Sequence, residues 1–81
     1  MALQRTIKAM IKPGDEWGYI AKCLNIPAVT QGRTLDEVVA NLEEAIELYF
    51  EGENPAELGF VPDPVILITF ELEPAFAKSG K

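Results

Sequence analysis

One segment limits what this chain can become: Thr34 to Glu51 carries the apolar repeat of a helix, and it is the clearest element in the sequence. Leu35, Val38, Val39, Leu42, Ile46, Tyr49 and Phe50 recur at spacings of three and four, which puts them on one stripe of an amphipathic helix. Thr34-Leu35-Asp36-Glu37 fits a capping box, in which the threonine oxygen accepts an orphan N–H and the glutamate reaches back. Gly52 suits the residue after the helix end, and Asn54-Pro55 prevents continuation.

Strand patterns flank this helix. Leu3 to Lys12 alternates, with Leu3, Ile7, Ala9 and Ile11 pointing one way and Gln4, Thr6, Lys8 and Lys12 the other. Pro13 to Glu16 reads as a turn, and Trp17 to Leu24 as the second strand of a hairpin. Asn25-Ile26-Pro27 breaks it, and Ala28 to Gln31 forms a third short strand. Gly32 then suits the turn out of the sheet. Residues 53 to 64 read as a loop punctuated by Pro55, Gly59, Pro62 and Pro64. The last strand runs from Val65 to Glu73, with Ile66, Ile68, Phe70 and Leu72 on one face, before a small polar tail.

The expected architecture is therefore α+β, in the order β-β-β-α-β. If the helix is a right-handed crossover, the last strand lies parallel to the first. That gives a small sheet of order 3-2-1-4 with the helix on one face. Its other face is left to solvent or another subunit.

Eighty-one residues allow one domain, with a core at about residues 3–73 and a tail at 74–81. Net charge is −6, but its distribution matters more than its total. Arg5, Lys8, Lys12, Lys22 and Arg33 all lie in the first 33 residues, whereas Thr34 to Ala77 holds acids and no base. Such a surface repels phosphate, so no direct nucleic-acid contact is expected and a basic partner is. No secretory signal or membrane-length apolar run is visible, which makes a cytoplasmic location the expectation.

Chemistry has little to work with. The chain has no histidine, the residue best suited to proton transfer near neutral pH. Cys23 is single, so it makes no intramolecular disulfide, and it reads as a small strand hydrophobe. Glu71 and Glu73 share a strand face, and Asp15 and Glu16 sit in a turn. These acids are too few and too scattered for a two-metal nuclease centre. No catalytic residue, metal or cofactor is expected.

The helix offers the best candidate site. Glu43, Glu44, Glu47 and Glu51 fan over the side opposite the apolar stripe, and Leu48 falls among them. Glu43, Glu47 and Glu51 are successive i,i+4 neighbours, and each such like-charge pair costs roughly 0.2–0.5 kcal/mol. The last of them also sit at the end of the helix dipole that disfavours anions. Two explanations stand: an acidic face kept for solubility, or a docking surface for a basic partner with Leu48 as its apolar contact.

Tyr19 to Glu51, about 40% of the chain, resembles the HicB antitoxin family. The resemblance rests on Thr30-Gln31-Gly32-Arg33-Thr34-Leu35-Asp36-Glu37, matching a T-Q-G-x-T-x-x-E block, and on Asn41 followed by Ala45-Ile46. Where the family usually has proline-glycine before the third strand, this chain has Pro27-Ala28. Many members add a C-terminal DNA-binding domain, and this chain reads as the single-domain form. The resemblance implies a partial ribonuclease H-like fold and an antitoxin that masks a small basic RNA-cleaving toxin of the HicA type. An oligomeric adaptor of the same fold, regulating another protein, is the alternative.

Self-association is also expected, as a dimer or tetramer. A chain this short buries a thin core, and Val65 and Leu67 make the last strand apolar on both faces. An interface at Val65 and Leu67, through the strand edge or the uncovered sheet face, follows from that.

Overall fold

The computed structural model describes residues 2–72. Four strands, β1 (Gln4–Pro13), β2 (Tyr19–Cys23), β3 (Val29–Gly32) and β4 (Phe60–Phe70), form one mixed sheet of order β3-β2-β1-β4. Among the described residues the one α-helix, α1 (Leu35–Phe50), joins β3 to β4, and a 3-10 turn at Pro55–Leu58 precedes β4. β1 pairs antiparallel with β2 and β2 antiparallel with β3, whereas β1 and β4 run parallel. The α+β class, the strand order and the direction of the last strand are as the residue pattern predicts.

The core lies between α1 and one face of the sheet. Ile7, Ala9 and Ile11 of β1 and Ala21 and Cys23 of β2 are buried, meeting Val38, Leu42 and Ile46 of the helix. Period-two and period-3.6 patterns converge here because each strand and the helix has one apolar face to hide. Phe60 closes the core beside the end of the helix, its ring edge-on to Phe50 at 5.4 Å between centroids.

Several local readings change. The second strand begins at Tyr19 rather than Trp17, because the turn extends to Gly18. Gly14 N–H donates to the Gly18 carbonyl at 2.9 Å, Gly18 has φ +68°, and Trp17 is left exposed. Residues 53–64 are not one loop: Asn54 caps the 3-10 turn, Gly59 ends it with φ +89°, and β4 starts at Phe60. Prolines at 62 and 64 hide that start from a strand pattern, and they are tolerated because β4 is an edge strand. Leu3 precedes β1 and stays exposed, and Leu35 lies at the rim of the helix stripe. Glu73 and the tail at 74–81 fall outside the described residues.

Gly32 is needed for a different reason than a turn. It is buried, and its φ is not in the positive region. Glycine is required there because the first turn of α1 passes directly over it.

Candidate functional site

The head of α1 is held as its sequence implies. Thr34 Oγ1 accepts the Glu37 N–H at 3.0 Å, and the Glu37 carboxylate accepts the N–H of Arg33, one residue before the cap. Asn41 donates to the Gln31 carbonyl at 2.8 Å, tying the helix to β3. These bonds, with Val38, Leu42 and Ile46 in the core, fix the rotation of the helix and hence what its outer face shows.

That outer face is acidic. Glu43, Glu44, Glu47, Leu48 and Glu51 are all exposed, and the last turn holds no base to offset them. Leu48 is 64% exposed, far from the burial its type favours. Glu44, Glu47, Leu48 and Glu51 line one shallow depression together with Phe50, while Glu43 lies outside its rim. A second, apolar groove adjoins it between the helix end and β4, lined by Ile46, Phe50, Pro62, Pro64 and Ile66 among others, with Glu47 and Phe50 common to both. The arrangement offers carboxylate acceptors around one exposed apolar side chain.

The opposite face of the sheet is different. Pairing of Met10 with Lys22 and of Lys12 with Ile20 puts these residues on the face away from α1, and Lys8 shares it. A depression there is lined by Met10, Lys12, Ile20, Lys22, Leu24, Val29 and Glu71. The net charge is thus split between an acidic helix and a lysine-bearing sheet face, and the second is not the uniformly acidic surface that the total suggests. The signal was in the sequence, since Lys8, Met10 and Lys12 share one parity, but only the pairing with β2 brings Lys22 beside them.

Val65 and Leu67 are exposed, at 63% and 53%, on the same open face. Their neighbours Ile66, Ile68 and Phe70 pair with Ile7, Ala9 and Ile11 and so face the helix side. Yet Ile66 and Phe70 remain 36% and 48% exposed, because α1 lies over β2 and β3. Trp17 is a further exposed aromatic, beside Gly14, Ile20 and Gln31.

Cys23 is buried in the sheet, and burial pushes its thiol pKa up, which keeps it protonated and unreactive. Among the described residues no group of three or more His, Cys, Asp or Glu side chains is placed to hold a metal ion. No helix among them is long and apolar enough to cross a membrane. Compared with family models, curated proteins and solved structures, the chain matches none.

Proposed function

We propose that this chain is a HicB-like antitoxin that binds and neutralises a small, basic, RNA-cleaving HicA-type toxin, with no catalysis of its own. The observation that carries the proposal is Leu48, exposed among Glu44, Glu47 and Glu51 on a helix end without a compensating base. Stability alone favours lysine at those positions. A cationic partner gives the acids a use, because complementary charge speeds the encounter and a desolvated leucine slows its reversal.

Two further features support the reading. The block from Thr30 to Glu37, on which the family resemblance rests, forms the exit from β3 and the cap of α1. The sheet order β3-β2-β1-β4 with one parallel edge is also compatible with a partial ribonuclease H-like fold. In this reading the protein acts in the cytoplasm, by occlusion, and touches no nucleic acid itself. The second reading, an adaptor for some other protein, draws on the lysine-bearing open face, which the acidic site leaves unused.

The deciding experiment is affinity purification from the native cell at low salt, followed by titration with any small basic protein that co-elutes. The triple change Glu44→Lys, Glu47→Lys, Glu51→Lys should leave the thermal midpoint unchanged or raised while binding and inhibition of RNA cleavage are lost. Wild-type association should slow as salt rises. Binding that survives the triple change with its salt dependence intact would move the site elsewhere, with the open sheet face as the next candidate.

A further inference from the structure

Among the described residues, β4 is the last strand on its side of the sheet. Hydrogen bonding determines which of its main-chain groups are free. Glu71 N–H donates to the Ile11 carbonyl at 2.8 Å, so odd-numbered residues of the regular stretch turn toward β1. Alternation along a strand then turns the N–H and C=O of Ile66, Ile68 and Phe70 outward.

Natural edge strands are blunted by charge, proline or irregularity. The first part of β4 has such protection: between the Gln4–Phe60 and Thr6–Val65 pairs its register shifts, and Pro62 and Pro64 lie in that stretch. From Val65 to Phe70 there is no charge, no proline and no bulge. Val65, Ile66, Leu67 and Phe70 are exposed besides, on both faces of the strand.

We propose that this edge pairs with the same edge of a second copy of the chain, antiparallel, about a two-fold axis at Ile68. A two-fold contact must be self-complementary, residue i meeting j while j meets i. The free groups meet that condition: Ile68 bonds Ile68 of the second copy, and Ile66 and Phe70 bond Phe70 and Ile66 of that copy. Between Ile66 and Phe70 no donor in this register falls opposite a proline. On the open face, Leu67 lies against Thr69 of the second copy, and Val65 against Glu71 of that copy.

Charge selects this mode over stacking of the two open faces. Each copy carries −6 overall, so contact is favoured where charge is absent, and Val65 to Phe70 is such a stretch. Stacked open faces would instead bring the lysine-bearing patches of the two copies together, three lysines to the one acid, Glu71, that lines the same depression. In the edge-paired register the two copies of Glu71 sit at opposite ends of the contact.

The result is one continuous eight-stranded sheet with both helices on the same side. Phe70 of the second copy then lies beside Ile66, at the mouth of the apolar groove that adjoins Glu47. The second copy thereby completes the wall of that groove.

The test is mass by light scattering at tens of micromolar, together with cysteine cross-linking. The wild-type chain should run at twice its 8.9 kDa mass. Directly paired residues in an antiparallel ladder stand roughly 5.5 Å apart at Cα, within disulfide reach. Ile68→Cys should therefore give a covalent dimer on mild oxidation, and Lys22→Cys on the open face should not. Ile68→Pro removes only an outward N–H and should give folded single chains by circular dichroism and mass. Phe70→Lys, at the strand end, should do the same and serves where the proline disturbs folding. A single-chain mass for the wild type, or a dimer that persists in folded Phe70→Lys, overturns the proposal, as does cross-linking at Lys22→Cys in place of Ile68→Cys.

Discussion

Gly32 lies so close under Val38 that a Cβ built on it would stand 2.5 Å from the Val38 nitrogen and 2.8 Å from its Cα. Real side chains do not tolerate that approach, and the obstacle is helix backbone, which cannot rotate aside. Gly32→Ala should therefore destabilise by about 1–3 kcal/mol, the range of core overpacking, and Gly32→Val by more. Denaturant midpoints check this. An alanine variant as stable as wild type would mean that the helix head sits further from β3.

Thr34→Ala should cost about 1 kcal/mol through loss of the N-cap acceptor. Thr34→Asp should recover most of it, since a carboxylate also accepts from Glu37 N–H and suits the positive helix end. The comparison separates capping from any packing role of the threonine methyl.

Asn25 replaces strand pairing where β2 ends. Its side-chain oxygen accepts the Lys8 N–H at 2.9 Å, and its amide donates to the Thr6 carbonyl at 2.8 Å and to Gln4 Oε1 at 3.1 Å. Asn25→Ala should cost about 0.5–1.5 kcal/mol, the net worth of an ordinary hydrogen bond, since water reaches the groups it leaves. Asn25→Asp should be no rescue, because it keeps the acceptor but turns a carboxylate oxygen toward the Thr6 carbonyl. Equal stability of wild type and Asn25→Asp would show that the donor side of the amide is unimportant.

Burial raises the Cys23 thiol pKa in the folded protein. The sign follows by linkage: above the unfolded thiol's pKa of about 8.5, the unfolded chain loses a proton that the folded chain retains. This contribution to stability is complete below that pH and declines as pH climbs through the folded pKa. Urea midpoints of the wild type should fall on this alkaline limb relative to Cys23→Ala, and the native thiol should resist thiol reagents. Parallel pH profiles for the two proteins would refute it.

Leu48→Ala should leave stability within about 0.5 kcal/mol, as for exposed positions generally. In partner binding it should act mainly on dissociation, whereas Glu47→Lys should act on association and its salt dependence. Surface plasmon resonance at two salt concentrations resolves the two rates.

Much of this molecule was legible because its signals are local. The spacing from Leu35 to Phe50 and the Thr34–Glu37 box define α1, and the alternation of Ile7, Ala9 and Ile11 defines the buried side of β1. A capping box and a two-residue alternation depend only on backbone geometry over a few residues. The same locality exposes the acidic residues at 43, 44, 47 and 51, since rotating an amphipathic helix into its core leaves its other side outside.

What only the tertiary structure decided is coverage and contact between distant segments. Phe60 is buried although it follows a glycine and precedes two prolines, because the 3-10 turn aims it under Phe50. Asn25 reads as a strand breaker, yet it bonds to β1 across a long stretch of chain. Gly32 suits a turn by residue type but is required by Val38 overhead. Ile66 and Phe70 carry the same alternation as Ile7 and Ile11, and pair with them, but remain exposed. Periodicity says which side of a strand is apolar. Whether anything lies over that side depends on where the helix is seated, and here it is seated over β2 and β3.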